Sequence, residues 1–291
     1  MTISHYFKAH EKDLGGGFKV RRLLPAAAKQ TVGPFIFFDH FGPIEAAPDA
    51  NHDVRPHPHI GLATVTYLYE GAMEHRDSVG SVQRIEPGAI NWMTAGSGIV
   101  HSERTPADLK GKARRSHGLQ LWAALPKAHE ETAPSFVHTP ASAIPEVAIG
   151  GGRVRVLIGS AFGHTSPVAT FSETLYLDIR LDAGHDVVLE NLPQEVAIYA
   201  VTGDIAIDGE PVAPGTMAYL EGETGARIAS AAGAQFAVIG GEPLDGQRFI
   251  FWNFVSSSKE RLARAAEDWE QQRYARVPGE TEFIPLPHPP R

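Results

Sequence analysis

Cysteine is absent from the 291-residue chain. Its absence excludes disulfide bonds, thiolate metal sites, iron–sulfur clusters and a cysteine nucleophile. Any metal ion that this protein binds must therefore be held by histidine and carboxylate side chains.

Long apolar runs and an excess of basic residues are also missing. No stretch approaches the ~20 apolar residues of a membrane-spanning helix, and residues 1–8 have no apolar signal core. Acidic residues outnumber basic residues by 34 to 26, and the resulting net charge of −8 disfavours direct binding of DNA or RNA. The basic stretch at 110–115 is interpreted as a solvated loop. We therefore expect a soluble cytoplasmic protein with no direct nucleic-acid or membrane partner.

Glycine and proline are abundant, with 29 and 22 residues, and they separate short runs rich in β-formers. Short strands that alternate with frequent turns are typical of an all-β sandwich or barrel. One series of such runs includes residues 62–69, 90–93 and 119–125, and a second includes 174–181, 196–202 and 236–239. Between the two series, several prolines and the run Gly150-Gly151-Gly152 indicate a connecting segment.

The predicted organisation is two β-barrels of similar plan, followed by one helix. We assign residues 1–135 to an N-terminal barrel, 136–152 to a linker, 153–245 to a C-terminal barrel, and 246–291 to a C-terminal helix and tail. The helix is predicted over 259–274, because the serines at 256–258 can cap it and an apolar stripe includes Leu262 and Trp269. This stripe fits packing on the first barrel or on another chain. The tail from residue 285 is too rich in proline for regular structure.

Two short pairs of metal-ligating residues stand out in the first barrel. His57 and His59 form one pair, and His101 and Glu103 form the other. Residues i and i+2 of a β-strand point to the same face, so each pair can offer two ligands to one side of a sheet. Three imidazoles and one carboxylate suit a divalent iron, manganese, nickel, copper or zinc ion, and they leave two octahedral positions open. These four residues are therefore the predicted metal ligands.

Other polar residues of the first part are interpreted as structural. The tripeptide His75-Arg76-Asp77 is predicted to satisfy backbone groups at a turn, with the orientation of a ligand histidine as the alternative. Asp39-His40, His52-Asp53 and His117 are predicted to be packing residues. Several large apolar residues can line either a pocket for a flat aromatic substrate or an ordinary barrel interior: Phe35, Phe37, Phe38, Trp92 and Met93.

The ordered segments 57–67, 74–78 and 92–103 resemble the pirin family of bicupins. The resemblance implies two cupin (jelly-roll-type) barrels in one chain, with a mononuclear iron in the N-terminal barrel held by His57, His59, His101 and Glu103. The general cupin pattern expects a glutamate shortly after the first histidine pair, but residues 61–64 are Gly-Leu-Ala-Thr. The carboxylate beside the later histidine is the variant expected of pirins. No comparable histidine pair occurs in 154–239, so we predict one metal per chain and a structural second barrel.

The same resemblance implies an Fe(II)-dependent dioxygenase that cleaves flavonols such as quercetin, with a small aromatic substrate and dioxygen as its partners. Glu103 is then the catalytic base that takes the proton of the flavonol hydroxyl. Manganese, nickel, copper, zinc or cobalt are the alternative metals. The alternative function is a metal-dependent redox sensor that binds a transcription factor or a metabolic enzyme. A sugar isomerase or epimerase of the cupin type is the third hypothesis.

Overall fold

The computed structural model describes residues 3–13, 18–221 and 225–287. The last residues of the predicted tail, from 288 onward, lie outside this part of the chain. The described residues form 26 β-strands, one α-helix and three single-turn 3₁₀ helices at Ala107–Leu109, Lys127–His129 and Ala141–Ala143. Among them no helix is both long and apolar enough to cross a lipid bilayer.

The strands of the first half of the chain are β1 (Ile3–Lys8), β2 (His10–Asp13), β3 (Lys19–Leu24), β4 (Phe35–Ala46), β5 (Val54–His59), β6 (Leu62–Glu70), β7 (Met73–Asp77), β8 (Val82–Ile85), β9 (Ile90–Thr94), β10 (Ile99–Arg104), β11 (Arg114–Ala124), β12 (Ser135–Thr139) and β13 (Glu146–Ile149). The remaining elements are β14 (Gly152–Ile158), β15 (Ser160–Ala161), β16 (His164–Thr165), β17 (Thr174–Leu181), β18 (His185–Glu190), β19 (Glu195–Thr202), β20 (Ile205–Ile207), β21 (Glu210–Val212), β22 (Thr216–Glu221), β23 (Gly225–Ser230), β24 (Ala234–Gly241), β25 (Phe249–Phe251), β26 (Phe254–Ser256) and the helix α1 (Lys259–Glu270).

The chain divides into two compact units that are not continuous in sequence. The first contains residues 3–12, 21–39 and 142–244, and the second contains 13, 18–20, 40–141 and 245–287. The domain boundaries predicted from the sequence are continuous ranges, and they stay a prediction. The segment predicted as a linker holds two strands, because β12 pairs with β9 and β13 pairs with β14.

Besides the two-stranded pair β15–β16, the first unit contains two larger antiparallel sheets. One has the order β1–β22–β19–β24–β17–β14–β13, and the other has the order β18–β23–β20–β21. Side chains of a strand alternate between its two faces, so every second residue of β17 (Leu175, Leu177, Ile179 and Leu181) enters one apolar core. The all-β prediction is confirmed in this unit.

Besides the two-stranded pair β25–β26, the second unit contains two larger antiparallel sheets. In one, β12, β9, β6 and β11 lie side by side, with the later part of β4 next to β11. The other has the order β5–β10–β7–β8. Strand β5 is an edge strand, which explains how it accommodates Pro56 and Pro58, because proline cannot donate to a neighbouring strand.

Helix α1 is the single predicted helix, and it packs within the second unit. Ser258 caps its N-terminus by accepting a hydrogen bond from the backbone N–H of Arg261 at 3.2 Å. The helix ends at Glu270, four residues before the predicted end, and Gln272 then takes a left-handed φ of 54°. The buried stripe of α1 shares an apolar cluster with Ile60 and Val100, which lie next to the histidines of β5 and β10.

Candidate metal centre

Strands β5 and β10 bring the two predicted ligand pairs together. In their antiparallel pairing His101 lies directly opposite His57, and Ile99 lies opposite His59. His57 and His59 point to one face of β5, whereas Pro58 pairs with Val100 on the other face, towards α1. The local alternation of each strand and the register between them therefore place three imidazoles on one side of this sheet.

The ring nitrogens of His57, His59 and His101 converge. One nitrogen from each ring lies within 4.8 Å of the other two, and the Nε2 atoms of His59 and His101 are 3.1 Å apart. Two nitrogens that share an ion at about 2.0–2.1 Å stand about 2.8–3.4 Å from each other in octahedral or tetrahedral geometry. All three side chains are buried. The donor set and its spacing thus fit a divalent metal ion.

Hydrogen bonds on the opposite ring nitrogens orient these imidazoles. The Nδ1 of His57 lies 2.8 Å from the carbonyl oxygen of Arg55, and the Nδ1 of His59 lies 3.2 Å from that of Asn253. A carbonyl oxygen only accepts, so both Nδ1 atoms carry the proton and both Nε2 atoms keep a free lone pair. Such fixing of the tautomer is what a metal-ligating histidine requires.

Burial keeps the three imidazoles neutral. Desolvation lowers the pKa of His57 to about 4, against a contrary effect of the hydrogen bond to Arg55. Desolvation also lowers the pKa values of His59 and His101 well below the ordinary value, and the neighbouring imidazoles lower them further. At neutral pH all three rings therefore present lone pairs, which are the form that binds a metal ion.

Glu103, the fourth predicted ligand, is half-buried on β10 beyond His101. The register of β10 against β5 shifts between these two residues, so that Glu103 pairs with Val54. Its carboxylate does not lie within 4.8 Å of all three imidazole nitrogens. Within the described residues this carboxylate makes no hydrogen bond or ion pair, and burial raises its pKa to about 7. The structure thus clusters three of the four predicted ligands.

Two buried groups that contain histidine stand out among the residues interpreted as structural. His75 lies beside His101, with their Nδ1 atoms 3.4 Å apart, and it is hydrogen-bonded to Asp77. The spacing of His75 and Asp77 on β7 repeats the i, i+2 pattern of the ligands, which was the available signal for a role in this site. His40 and His117 form a separate buried pair, with their Nε2 atoms 2.7 Å apart.

The aromatic residues that could line a substrate pocket are also distributed between different places. Phe35 and Phe38 pack inside the first unit, against Tyr176 and Tyr199. Trp122 meets a cluster histidine, because its ring lies edge-on to His59 with 5.1 Å between centroids. Sequence reasoning did not single out Trp122.

The cluster on β5 and β10 is the one group of three or more metal-ligating side chains found among the residues 3–13, 18–221 and 225–287. The part of the chain predicted as a second barrel contributes no residue to it.

Comparison with known proteins gives matches along most of the chain. The family model described as Pirin matches residues 17–123, and the one described as Pirin C-terminal cupin domain matches residues 176–275. A pirin-like protein of Caulobacter vibrioides is 45% identical over 291 residues, covering 98% of this chain and 99% of that protein. Human pirin is 31% identical over 278 residues, covering 91% of both chains. A crystal structure of a quercetin 2,3-dioxygenase from Acinetobacter baumannii is similar with a TM-score of 0.91 and 32% identity, covering 98% of this chain and 95% of that one.

Proposed function

The chain belongs to the pirin family of proteins with two cupin domains, and from this premise we propose that it is a metal-dependent dioxygenase acting on a small aromatic substrate of the flavonol class. His57, His59, His101 and Glu103 hold the metal, with one ion per chain. The proposal draws on the name of the similar Acinetobacter baumannii protein, a quercetin 2,3-dioxygenase. Divalent iron is the proposed metal, and manganese, nickel, copper, zinc and cobalt are its competitors.

The observation that carries this proposal is the convergence of three neutral, buried imidazoles, two of them with Nε2 atoms 3.1 Å apart. Two facing lone pairs repel each other unless a proton or a cation lies between them, and burial disfavours the proton. With the carboxylate of Glu103, the four donors leave positions open on a six-coordinate ion. When bound, a divalent iron supplies Lewis acidity and redox chemistry towards dioxygen.

In this proposal Glu103 is the base that accepts the hydroxyl proton of the substrate. A flavonol must lose its 3-hydroxyl proton before its ring reacts with dioxygen. A carboxylate that holds the metal through one oxygen keeps a second oxygen that can accept a proton, and within the described residues no other side chain binds this carboxylate. Replacement by glutamine keeps the size of the side chain and removes the base. We therefore expect Glu103→Gln to fold and to lose turnover.

Trp122 provides an apolar surface next to the ligand histidines. Its ring is buried and lies against His59, so it keeps water from that side of the cluster. A flat aromatic substrate packs favourably against such a surface.

The test is oxygen uptake by anaerobically iron-loaded protein on addition of quercetin, with detection of carbon monoxide. Cleavage of a flavonol consumes one dioxygen and releases one carbon monoxide, so equal amounts of both are expected. His101→Ala should abolish both signals. His138→Gln is the matched control, because this half-buried histidine lies on β12 and contacts Asn91. Iron bound at one per chain without oxygen uptake would reject the dioxygenase and favour the redox-sensing alternative.

A further inference from the structure

His75 and Asp77 lie directly across from the second ligand pair. In the pairing of β7 with β10, Asp77 is opposite His101 and His75 is opposite Glu103. Directly paired residues of neighbouring strands share a face, so all four side chains lie on the same side of this sheet. Both His75 and Asp77 are buried, and Asp77 is fully so, with 0% exposure.

The carboxylate of Asp77 is held by three donors. Its Oδ2 accepts a hydrogen bond from Nε2 of His75 at 2.8 Å, and its Oδ1 accepts from the backbone N–H groups of Val79 and Ser81 at 3.0 and 2.9 Å. Burial alone would raise the pKa of Asp77, but the hydrogen bonds from His75 and Ser81 lower it below the usual value. Asp77 is therefore an ionised acceptor throughout the neutral range.

The ring of His75 connects this carboxylate to the ligand His101. It stacks on Phe136, with 4.2 Å between centroids and 13° between the planes, which fixes its orientation. Because Asp77 can only accept, His75 carries its proton on Nε2, and its Nδ1 is left with a lone pair. That lone pair faces Nδ1 of His101 at 3.4 Å, a long contact between two nitrogens. It therefore accepts a hydrogen bond from the Nδ1–H group of His101, and Nε2 of His101 keeps its lone pair free.

The three ligand histidines donate their Nδ1–H hydrogen bonds to acceptors of different kinds. His57 and His59 each donate to a neutral backbone carbonyl, of Arg55 and Asn253. His101 instead donates to an imidazole that is anchored on a buried negative charge. An acceptor that is itself hydrogen-bonded to a carboxylate polarises the Nδ1–H bond more strongly, and the electron density at Nε2 rises accordingly.

We propose that Asp77 and His75 form a positioning relay that fixes His101 in the Nδ1–H tautomer and strengthens its bond to the metal. The relay rests on the metal binding of the proposed function. Neither residue is a ligand, and neither touches the substrate in this proposal. Partners of this kind typically contribute 10–100-fold to metal affinity.

Asp77→Asn is the most informative variant. An asparagine can still accept the backbone hydrogen bonds of Val79 and Ser81 through its oxygen. Its amide nitrogen then donates to Nε2 of His75, which moves the proton of His75 to Nδ1 and against the Nδ1 proton of His101. The relay predicts that this variant loses about 10–100-fold in zinc affinity. His75→Phe keeps the stacking on Phe136 and removes both polar contacts, and the same range of loss is expected.

The experiment measures zinc affinity by competition with a chromophoric chelator, and records nitrogen-15 NMR spectra of the histidine rings in the zinc-loaded protein. In the wild type, His75 should carry its proton on Nε2 and His101 on Nδ1, and Asp77→Asn should move the proton of His75 to Nδ1. His138→Gln is the control, and its affinity should stay within about twofold of the wild type. Circular dichroism confirms that each variant is folded.

Two results would overturn the relay while leaving the metal site in place. The first is a wild type that binds one zinc per chain with His75 protonated on Nδ1. The second is a pair of folded variants, Asp77→Asn and His75→Phe, that bind zinc within about twofold of the wild type. Either result alone is sufficient. A wild type that binds no zinc, iron or nickel would reject the proposed function together with the relay. The NMR spectrum of the wild type decides the tautomer even if neither variant folds.

Discussion

Acidification should destabilise the metal-free protein through its histidine cluster. The pKa of His57 is lowered to about 4 by burial, and those of His59 and His101 are lowered well below 6.5. The unfolded chain therefore binds protons between pH 6.5 and 4 that the folded chain does not bind. The free energy of unfolding falls as the pH decreases through this window, because the slope has the sign of the difference in bound protons.

The magnitude follows from the difference between the folded and unfolded pKa values. Between pH 7 and pH 5, a histidine whose folded pKa is about 4 loses about 2 kcal/mol of stability. Burial also lowers the pKa values of His59 and His101, so both histidines add to the loss in the same direction. Glu103 acts in the opposite direction, because its folded pKa of about 7 exceeds its unfolded value and it binds a proton on folding. This gain is at most about 2 kcal/mol for a half-buried group, so it can offset the loss at one histidine, and the net effect of acidification is destabilising.

Urea denaturation of chelator-treated protein at pH 7, 6 and 5 measures this loss. His57→Gln should reduce the difference between pH 7 and pH 5 by about 2 kcal/mol, because glutamine does not titrate. Glu103→Gln should increase it, because the opposing contribution disappears. His164→Gln is the control, since this histidine is exposed on β16. A free energy of unfolding that is equal at pH 7 and pH 5, or that His57→Gln leaves unchanged in its pH dependence, would refute the reasoning.

Three substitutions in the second unit test how the site is supported. Arg248 forms a buried ion pair with Glu130 at 2.7 Å. Arg248→Met should therefore lower the free energy of unfolding, measured by urea denaturation, by about 3–5 kcal/mol, and an unchanged midpoint would contradict this. Trp269→Ala should lower the free energy of unfolding by about 3–5 kcal/mol and speed proteolysis after α1, because the Trp269 ring fills the apolar cluster that α1 shares with Ile60 and Val100. Gly61→Ala should lower both the melting temperature and zinc affinity, since φ is +68° and a Cβ would lie 2.0 Å from the carbonyl oxygen of Val255.

Much of the fold could be predicted from local patterns. Alternating runs and turn residues predicted an all-β protein with a single helix, and both predictions are confirmed because these signals depend on neighbours in the sequence. Element ends were predicted less well, as α1 shows by ending at Glu270. The extent of the two units could not be read from the sequence, because residues 21–39 lie in the unit of 142–244 through contacts that are distant along the chain.

The sequence by itself determined the chemistry of the site. The lack of cysteine and the i, i+2 pairs fix the donor types, and the period of a strand fixes that His57 and His59 share a face. The tertiary structure decided how those donors are held. The carbonyl that orients His59 comes from Asn253, 194 residues later, and the imidazole beside His101 comes from β7. Strand register and chain closure set such contacts, and neither follows from the periodicity of a single strand.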